Sequence, residues 1–158
     1  MTAPKLWSPV CEQMGITYPI FGFAHSVHAV AAITNAGGIG VYGATRRFPE
    51  EIKAELEAIR ALVGDKPFGV DLVLPPGMPE HNSRAEIEAE IPQPHKDFVA
   101  QAVSEFGVPE ATEPGMRTRF IRSKEIEDAQ LRAVLDSDVD LFACGIGAPR
   151  DAVQEAKS

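Results

Sequence analysis

Residues 18–43 read YPIFGFAHSVHAVAAITNAGGIGVYG, and this stretch decides the fold. Residues 19–24 form a short, mostly apolar run, as a buried parallel strand does. Ser26 follows, where a hydroxyl can accept a hydrogen bond from an otherwise unpaired helix N–H. Val27, Val30, Ala31 and Thr34 lie near helical spacing, and Ala36-Gly37-Gly38 stops the helix. Ile39 to Tyr42 is a second apolar run. Strand, helix and strand in this order make a βαβ unit, the crossover that two parallel strands require.

The same pattern repeats downstream. Met1 to Gln13 reads as a leader, with Ser8-Pro9 extended or turned. Pro49 suits a first helical position, and Glu50 and Glu51 complement the positive end of the helix dipole. Ile52, Leu56, Ile59 and Val63 keep one apolar stripe, and Gly64 ends that helix. Phe68 to Leu74 is a third strand, closed by Pro75-Pro76-Gly77. Residues 78–95 and 108–122 read as irregular excursions on either side of a helix from about Lys96 to Phe106. Ser123 opens a further helix through Leu135, Val139 to Ile146 holds the fourth strand, and a last helix follows Pro149. Strands near Pro19–Phe23, Ile39–Tyr42, Phe68–Leu74 and Val139–Cys144 are expected to lie parallel and adjacent in that order. The fold class is therefore α/β, with about four parallel βα units. A closed eight-unit barrel takes about 250 residues, so 158 residues supply about half of one.

Composition narrows the function. With 44% hydrophobic and 24% charged residues, the chain reads as an ordinary globular protein. A net charge of −8 argues against a nucleic-acid partner, which needs clustered Lys and Arg. No apolar run is long enough to span a bilayer, and MTAPKLWSPV lacks the apolar core of a secretory signal. Cys11 and Cys144 lie far apart without metal spacing, which reads as two reduced thiols in a cytoplasmic protein.

Four features carry chemistry or imitate it. Asn35-Ala36-Gly37-Gly38-Ile39-Gly40 looks like a nucleotide loop, but its glycines follow a helix and precede a strand. Phosphate loops have the reverse order, so a tight turn is the better reading. Gly145-Ile146-Gly147-Ala148-Pro149 has the correct order but only half a fingerprint, so on spacing alone a plain strand-to-helix turn is the better reading. His25 and His28 sit three apart at the end of the first strand with no third metal ligand nearby, so no metal is expected. His25 reads as a polar group at a site mouth and His28 as a surface residue. Asp71 stands inside the apolar strand GVDLVLP, where a charge must be paired, hydrogen-bonded or turned into a polar site. Arg117, Arg119 and Arg122 make a small basic cluster that reads as solvated surface.

The ordered series YPIFGFAHS, VAAITNAGGIGVYGA and PEEIKAELEAIRALVGDKPFGVDLVLP resembles the N-terminal half of nitronate monooxygenases, formerly called 2-nitropropane dioxygenases. The likeness is close over Cys11–Pro75 and loose over Leu131–Ala148. It implies a partial (β/α)8 TIM barrel, FMN as cofactor, and oxidation of alkyl nitronates by O2. It also implies that this chain supplies a floor beneath the flavin ring. Backbone around Phe23, Ala24 and His25, the Asp71 side chain, and backbone near Gly145 would form that floor. The family's catalytic His and phosphate-binding glycine loops come from later strands, past Ser158. No catalytic residue is therefore assigned, and the 158-residue chain alone is expected to be inactive and to hold FMN weakly or not at all. Two positions depart from the family pattern: Phe23-Ala24-His25 replaces an APM-like sequence, and Asp71 replaces a common Asn. The alternatives are a flavin-dependent enoyl-thioester reductase of the same fold and a non-catalytic half-barrel. Open strand edges are expected to promote self-association.

Alternation along the third strand puts Gly69, Asp71 and Val73 on one face and Phe68, Val70, Leu72 and Leu74 on the other. The large apolar set should meet the helices and the Asp71 set the barrel lumen. Gly22 with Ala24, and Ala143 with Gly145, are expected to join Asp71 there and leave room for a flat ring.

Overall fold

Parallel strands in sequence order form the centre of the structure, a computed structural model that describes residues 6–112, 121–147 and 150–156. β1 (Phe21–Ala24), β2 (Ile39–Gly43), β3 (Gly69–Val73) and β4 (Leu141–Gly145) pair in the order β1-β2-β3-β4. Every pairing is parallel, as the repeated crossovers require. The helices are α1 (Pro9–Met14), α2 (Val27–Asn35), α3 (Pro49–Val63), α4 (Arg84–Glu90), α5 (Gln93–Glu105), α6 (Lys124–Leu135) and α7 (Arg150–Glu155).

One face of the sheet carries the core. Tyr42, Val70 and Leu72 are buried against Val30 and Ala31 of α2, Ile52, Leu56, Ile59 and Val63 of α3, and Ala133 and Val134 of α6. The apolar stripe of α3 is thus the stripe that its sequence spacing demands. Close approach depends on Gly40, where an added Cβ would lie 2.2 Å from the Val30 carbonyl oxygen. The Gly40 N–H donates to Thr34 Oγ1 at 3.0 Å, which locks α2 onto β2. Ser26 and Ser123 cap α2 and α6 by accepting from the Ala29 and Ile126 N–H groups. Arg60 of α3 reaches across to the start of β4. It donates to Asp138 at 3.0 Å and Asp140 at 2.9 Å and lies over the Phe68 ring.

The sheet's register corrects one expectation. Phe21 and Phe23 pair with Ile39 and Val41, which places them on the face of Gly43, Gly69, Asp71 and Val73. Gly22 and Ala24 therefore lie on the helix face. A Cβ on Gly22 would stand 2.7 Å from Ile33 Cδ1 of α2, and Ala24 packs against the core. Ala143 and Gly145 do share the face of Asp71.

The excursions also differ from their reading. Within 78–95, α4 forms behind Ser83, whose side chain accepts from the Glu86 N–H and donates to Glu86 Oε2. α5 begins at Gln93, with Pro94 in its first turn, rather than at Lys96. Neither helix has a buried residue, so good local helix formers and caps suffice without a core stripe. The leader likewise contains α1, with Pro9 opening the helix and Cys11 buried. Residues 108–112 and 121–122 carry no regular structure. Arg117, Arg119, Ala148 and Pro149 lie outside the described residues.

Candidate functional site

Among the described residues, the core helices α2, α3 and α6 all pack on the first face of the sheet, and the second face carries Phe21, Phe23 and Asp71. Phe21 and Phe23 are 48% and 56% exposed there, which is unusual for phenylalanine in a strand. His25 follows β1, and its ring meets Phe23 edge to face, with centroids 4.9 Å apart. His25 Nδ1 lies 2.9 Å from the Gly43 carbonyl oxygen. A carbonyl only accepts, so Nδ1 carries the proton and, in the neutral ring, Nε2 keeps a free lone pair. Gly43 makes this seat possible. A Cβ at that position would stand 2.5 Å from Phe23 Cζ and 2.6 Å from His25 Cε1 and Nδ1.

Asp71 is the residue of β3 that pairs with Gly43, so its carboxylate lies on the same face, one strand over from His25. Among the described residues nothing hydrogen-bonds this carboxylate. Partial burial pushes its pKa upward, because a charge is poorly solvated there, and the charge of His25 pulls it back down. Gly145 opens the neighbouring space, since a Cβ there would only just reach Asp71 Oδ1 at 4.0 Å.

Backbone at these strand ends is fixed from outside the sheet. Thr45 Oγ1 accepts from the Val73 N–H at 3.0 Å, and the Ala44 N–H donates to the Asp71 carbonyl at 3.0 Å. Arg122 donates to the Val73 carbonyl and to Glu127. Gln130 of α6 donates to the Thr45 and Arg47 carbonyls at 3.0 and 2.6 Å. The residue after Gly145, Ile146, has a φ of 56° and is exposed. A branched side chain in the left-handed region is strained, and such strain gathers at functional sites.

Of the residues expected at a site, Phe23, His25, Asp71 and Gly145 share this open face. Ala24 contributes only backbone, because its side chain faces the helices. His28 sits exposed in the first turn of α2. No group of three His, Cys, Asp or Glu among the described residues is placed to hold a metal. Cys11 and Cys144 are free thiols, and burial pushes the Cys144 thiol upward. Sequence reasoning missed Gly43, Thr45 and Arg122. Only Gly43 left a signal, a glycine closing a strand one position before Ala44. A separate cavity of about 860 Å³ lies between the Leu74–Met78 loop, α6 and α7, and none of the expected site residues lines it.

The chemistry of this face is compatible with one edge of a flavin ring: an unbonded, half-buried carboxylate would accept from a ring N–H, and Gly145 leaves space beside it. The phosphate finds no comparable cradle among the described residues, since Arg122 is already committed to Val73 and Glu127.

These features define a class, a parallel βα half-barrel with polar groups gathered at the C-terminal ends of its strands, where such barrels keep their sites. The nitronate monooxygenase family pattern matches residues 7–158, and the chain belongs to that family. Its members are flavin-dependent oxidoreductases. Rv1533 of Mycobacterium tuberculosis, provisionally named a monooxygenase, is 34% identical over 156 residues, covering 93% of this chain and 41% of that protein. A 5-hydroxy-7a-methyl-1-oxo-octahydro-1H-indene-4-carboxyl-CoA dehydrogenase of the same organism is 33% identical over 72 residues, 43% of this chain and 20% of that one. Nitroalkane oxidase from Streptomyces ansochromogenes superposes with a TM-score of 0.64 at 20% identity, over 95% of this chain and 40% of that one. A FabK variant from Thermotoga maritima gives 0.59 at 19% identity, over 96% and 36%. The likeness to these two structures shows the fold, that of a TIM barrel. This chain spans about two-fifths or less of each relative's length. No described helix is long and apolar enough to cross a membrane.

Proposed function

We propose that residues 1–158 supply the N-terminal half of the flavin site in an FMN-dependent enzyme that oxidises alkyl nitronates with O2. The observation that carries this reading is the Asp71 carboxylate, half-buried and unbonded on the open face of a nitronate monooxygenase half-barrel. FMN, when bound, accepts electrons from the substrate carbon and passes them to oxygen. The chain's own groups bind and orient. A carboxylate can only accept hydrogen bonds, so Asp71 would hold a bound ring by its N3–H rather than by a ring carbonyl. Phe23 would shield one edge, and backbone at Ala24, His25 and Gly145 would line the floor. The free thiols support a cytoplasmic location. The open edges of β1 and β4 support self-association of the isolated chain.

The test uses a polypeptide joining this chain to four further βα units. FMN-dependent oxygen uptake on ethyl nitronate supports the reading. A second reading, oxidation or reduction of a thioester, draws on the CoA-ester dehydrogenase among the relatives. NAD(P)H consumption with an enoyl thioester, or flavin bleaching by an acyl-CoA, without uptake on a nitronate, would favour it instead.

A further inference from the structure

The sheet stops at β1 on one side and at β4 on the other. Among the described residues, neither outer edge has a backbone partner. Such edges recruit further strands. Phe21 and Phe23 stand at the first edge, 48% and 56% exposed. At the second edge the same face carries Ala143 and Gly145. Large side chains on one edge and small ones on the other suit each other if the two edges meet.

Barrel geometry says where they would meet. Followed across the ladder, Phe23 is level with Val41, then Gly69, then Leu141. Phe23 is the third residue of β1 and Leu141 the first of β4, so the strands step in one direction, as those of a sheared barrel do. An eight-stranded parallel barrel closes with a shear of eight residues, so each four-stranded half supplies four. Four residues beyond Leu141 along β4 is Gly145. Phe23 of a second copy therefore falls beside Gly145, and its Phe21 beside Ala143. An even shift keeps all four residues on one face. A two-fold axis along the barrel makes both seams at once and leaves every strand parallel.

We propose that the 158-residue chain pairs with a second copy of itself, β4 of each against β1 of the other, into a closed eight-stranded barrel. The second copy stands where further βα units would complete the barrel. Closure removes both open edges and buries the two phenylalanines in the room that Ala143 and Gly145 leave. No flavin takes part, so losing the flavin reading of the open face leaves this inference standing.

Sedimentation of the chain without flavin is the test. The expected result is a species of two chains that grows no larger as concentration rises. Copies joined edge to edge without closing would lengthen instead. In a mixture of isotope-labelled and unlabelled chain, NMR contacts between copies should join residues 21–23 to residues 143–145. Gly145→Val probes the fit. Within one chain its Cβ meets only ordinary contacts, Val73 Cγ2 at 3.4 Å and Asp71 Oδ1 at 4.0 Å, so the fold should survive. Across the seam the side chain takes the place of Phe23, and the dimer dissociation constant should rise about tenfold or more. Phe98→Glu, on exposed α5, should leave that constant unchanged. A chain that stays monomeric at the concentrations NMR uses, or assemblies larger than two, would overturn the proposal. So would contacts between copies at other residues, or a dimer that Phe98→Glu dissolves and Gly145→Val does not.

Discussion

The same substitution three residues apart on β2 should give two different proteins. At Gly40, an added Cβ would meet the Val30 carbonyl oxygen at 2.2 Å, about 1 Å inside ordinary contact. Helix backbone cannot move aside alone, so α2 must shift and the Gly40 to Thr34 hydrogen bond is lost. Overpacking costs about 1–3 kcal/mol and the lost bond about 1 kcal/mol, for a total of roughly 3 kcal/mol. In a domain of this size that lowers Tm by about 6–12 °C. At Gly43 the obstructed atoms belong to Phe23 and His25, both exposed side chains that swing outward. The losses are one hydrogen bond and one edge-to-face contact, about 1–2 kcal/mol together. Replacing a strand glycine returns about 0.5–1 kcal/mol. The net cost of Gly43→Ala is then about 1 kcal/mol or less, a Tm change of at most about 4 °C. Thermal melts give the stabilities, and nitrogen-15 spectra of His25 show whether the Nδ1–H bond survives. Gly43→Ala should melt near the parent with His25 released. A large loss of stability at Gly43, or an undisturbed His25, would refute the steric argument.

Asp71→Asn should stabilise the chain at neutral pH. Burial raises the native carboxyl, so the native state holds its proton where the unfolded chain has released it. The ionised form therefore costs stability, increasingly as pH rises through the raised native value and constantly above it. The advantage of Asn in urea midpoints should vanish on acidification below the usual carboxylate range. In the eight-unit enzyme the same variant should raise the flavin potential, because a negative charge near the ring is removed. Tyr42, pushed up to about 12 mainly by burial and by its bond to Glu55, contributes stability below pH 10 that is lost as pH rises toward 12. Tyr42→Phe should flatten that alkaline slope in denaturation midpoints. Arg60→Ala, which removes the bonds to Asp138, Asp140 and the Gly64 and Lys66 carbonyls, should cost about 2 kcal/mol. A midpoint unchanged from the parent would show that the staple contributes nothing.

Elements that bury a face were legible in the sequence. The stripe of α3 and the alternation of GVDLVLP each report which side meets the core, and the structure agrees at Ile52, Leu56, Val70 and Leu72. β1 was not legible in that way. Its residues Phe21 to Ala24 are all apolar or glycine, so alternation gives no polarity to read. Size misleads as well, because the phenylalanines lie on the open face and Gly22 admits α2. α4 was hidden because a helix with no buried residue carries no core period. α5 shows the opposite case: Val99 and Val103 stand four apart as a core stripe would, yet they are 58% and 43% exposed. At the site, Asp71 announced itself as a charge in an apolar strand. The seat of His25 could not, because Gly43 lies 18 residues away and meets it only once β1 and β2 pair.

The central proposal is that the described residues present the ring side of a flavin site without a phosphate cradle among them. Titrating the labelled chain with FMN and with riboflavin, then desalting, tests it directly. The account predicts that neither flavin survives desalting. At high concentration both should shift the same amide signals, at 23–25, 71 and 145, with similar affinity because the phosphate is not held. Stoichiometric FMN retained through desalting, a strong preference for FMN over riboflavin, or shifts confined to the helix face would contradict it.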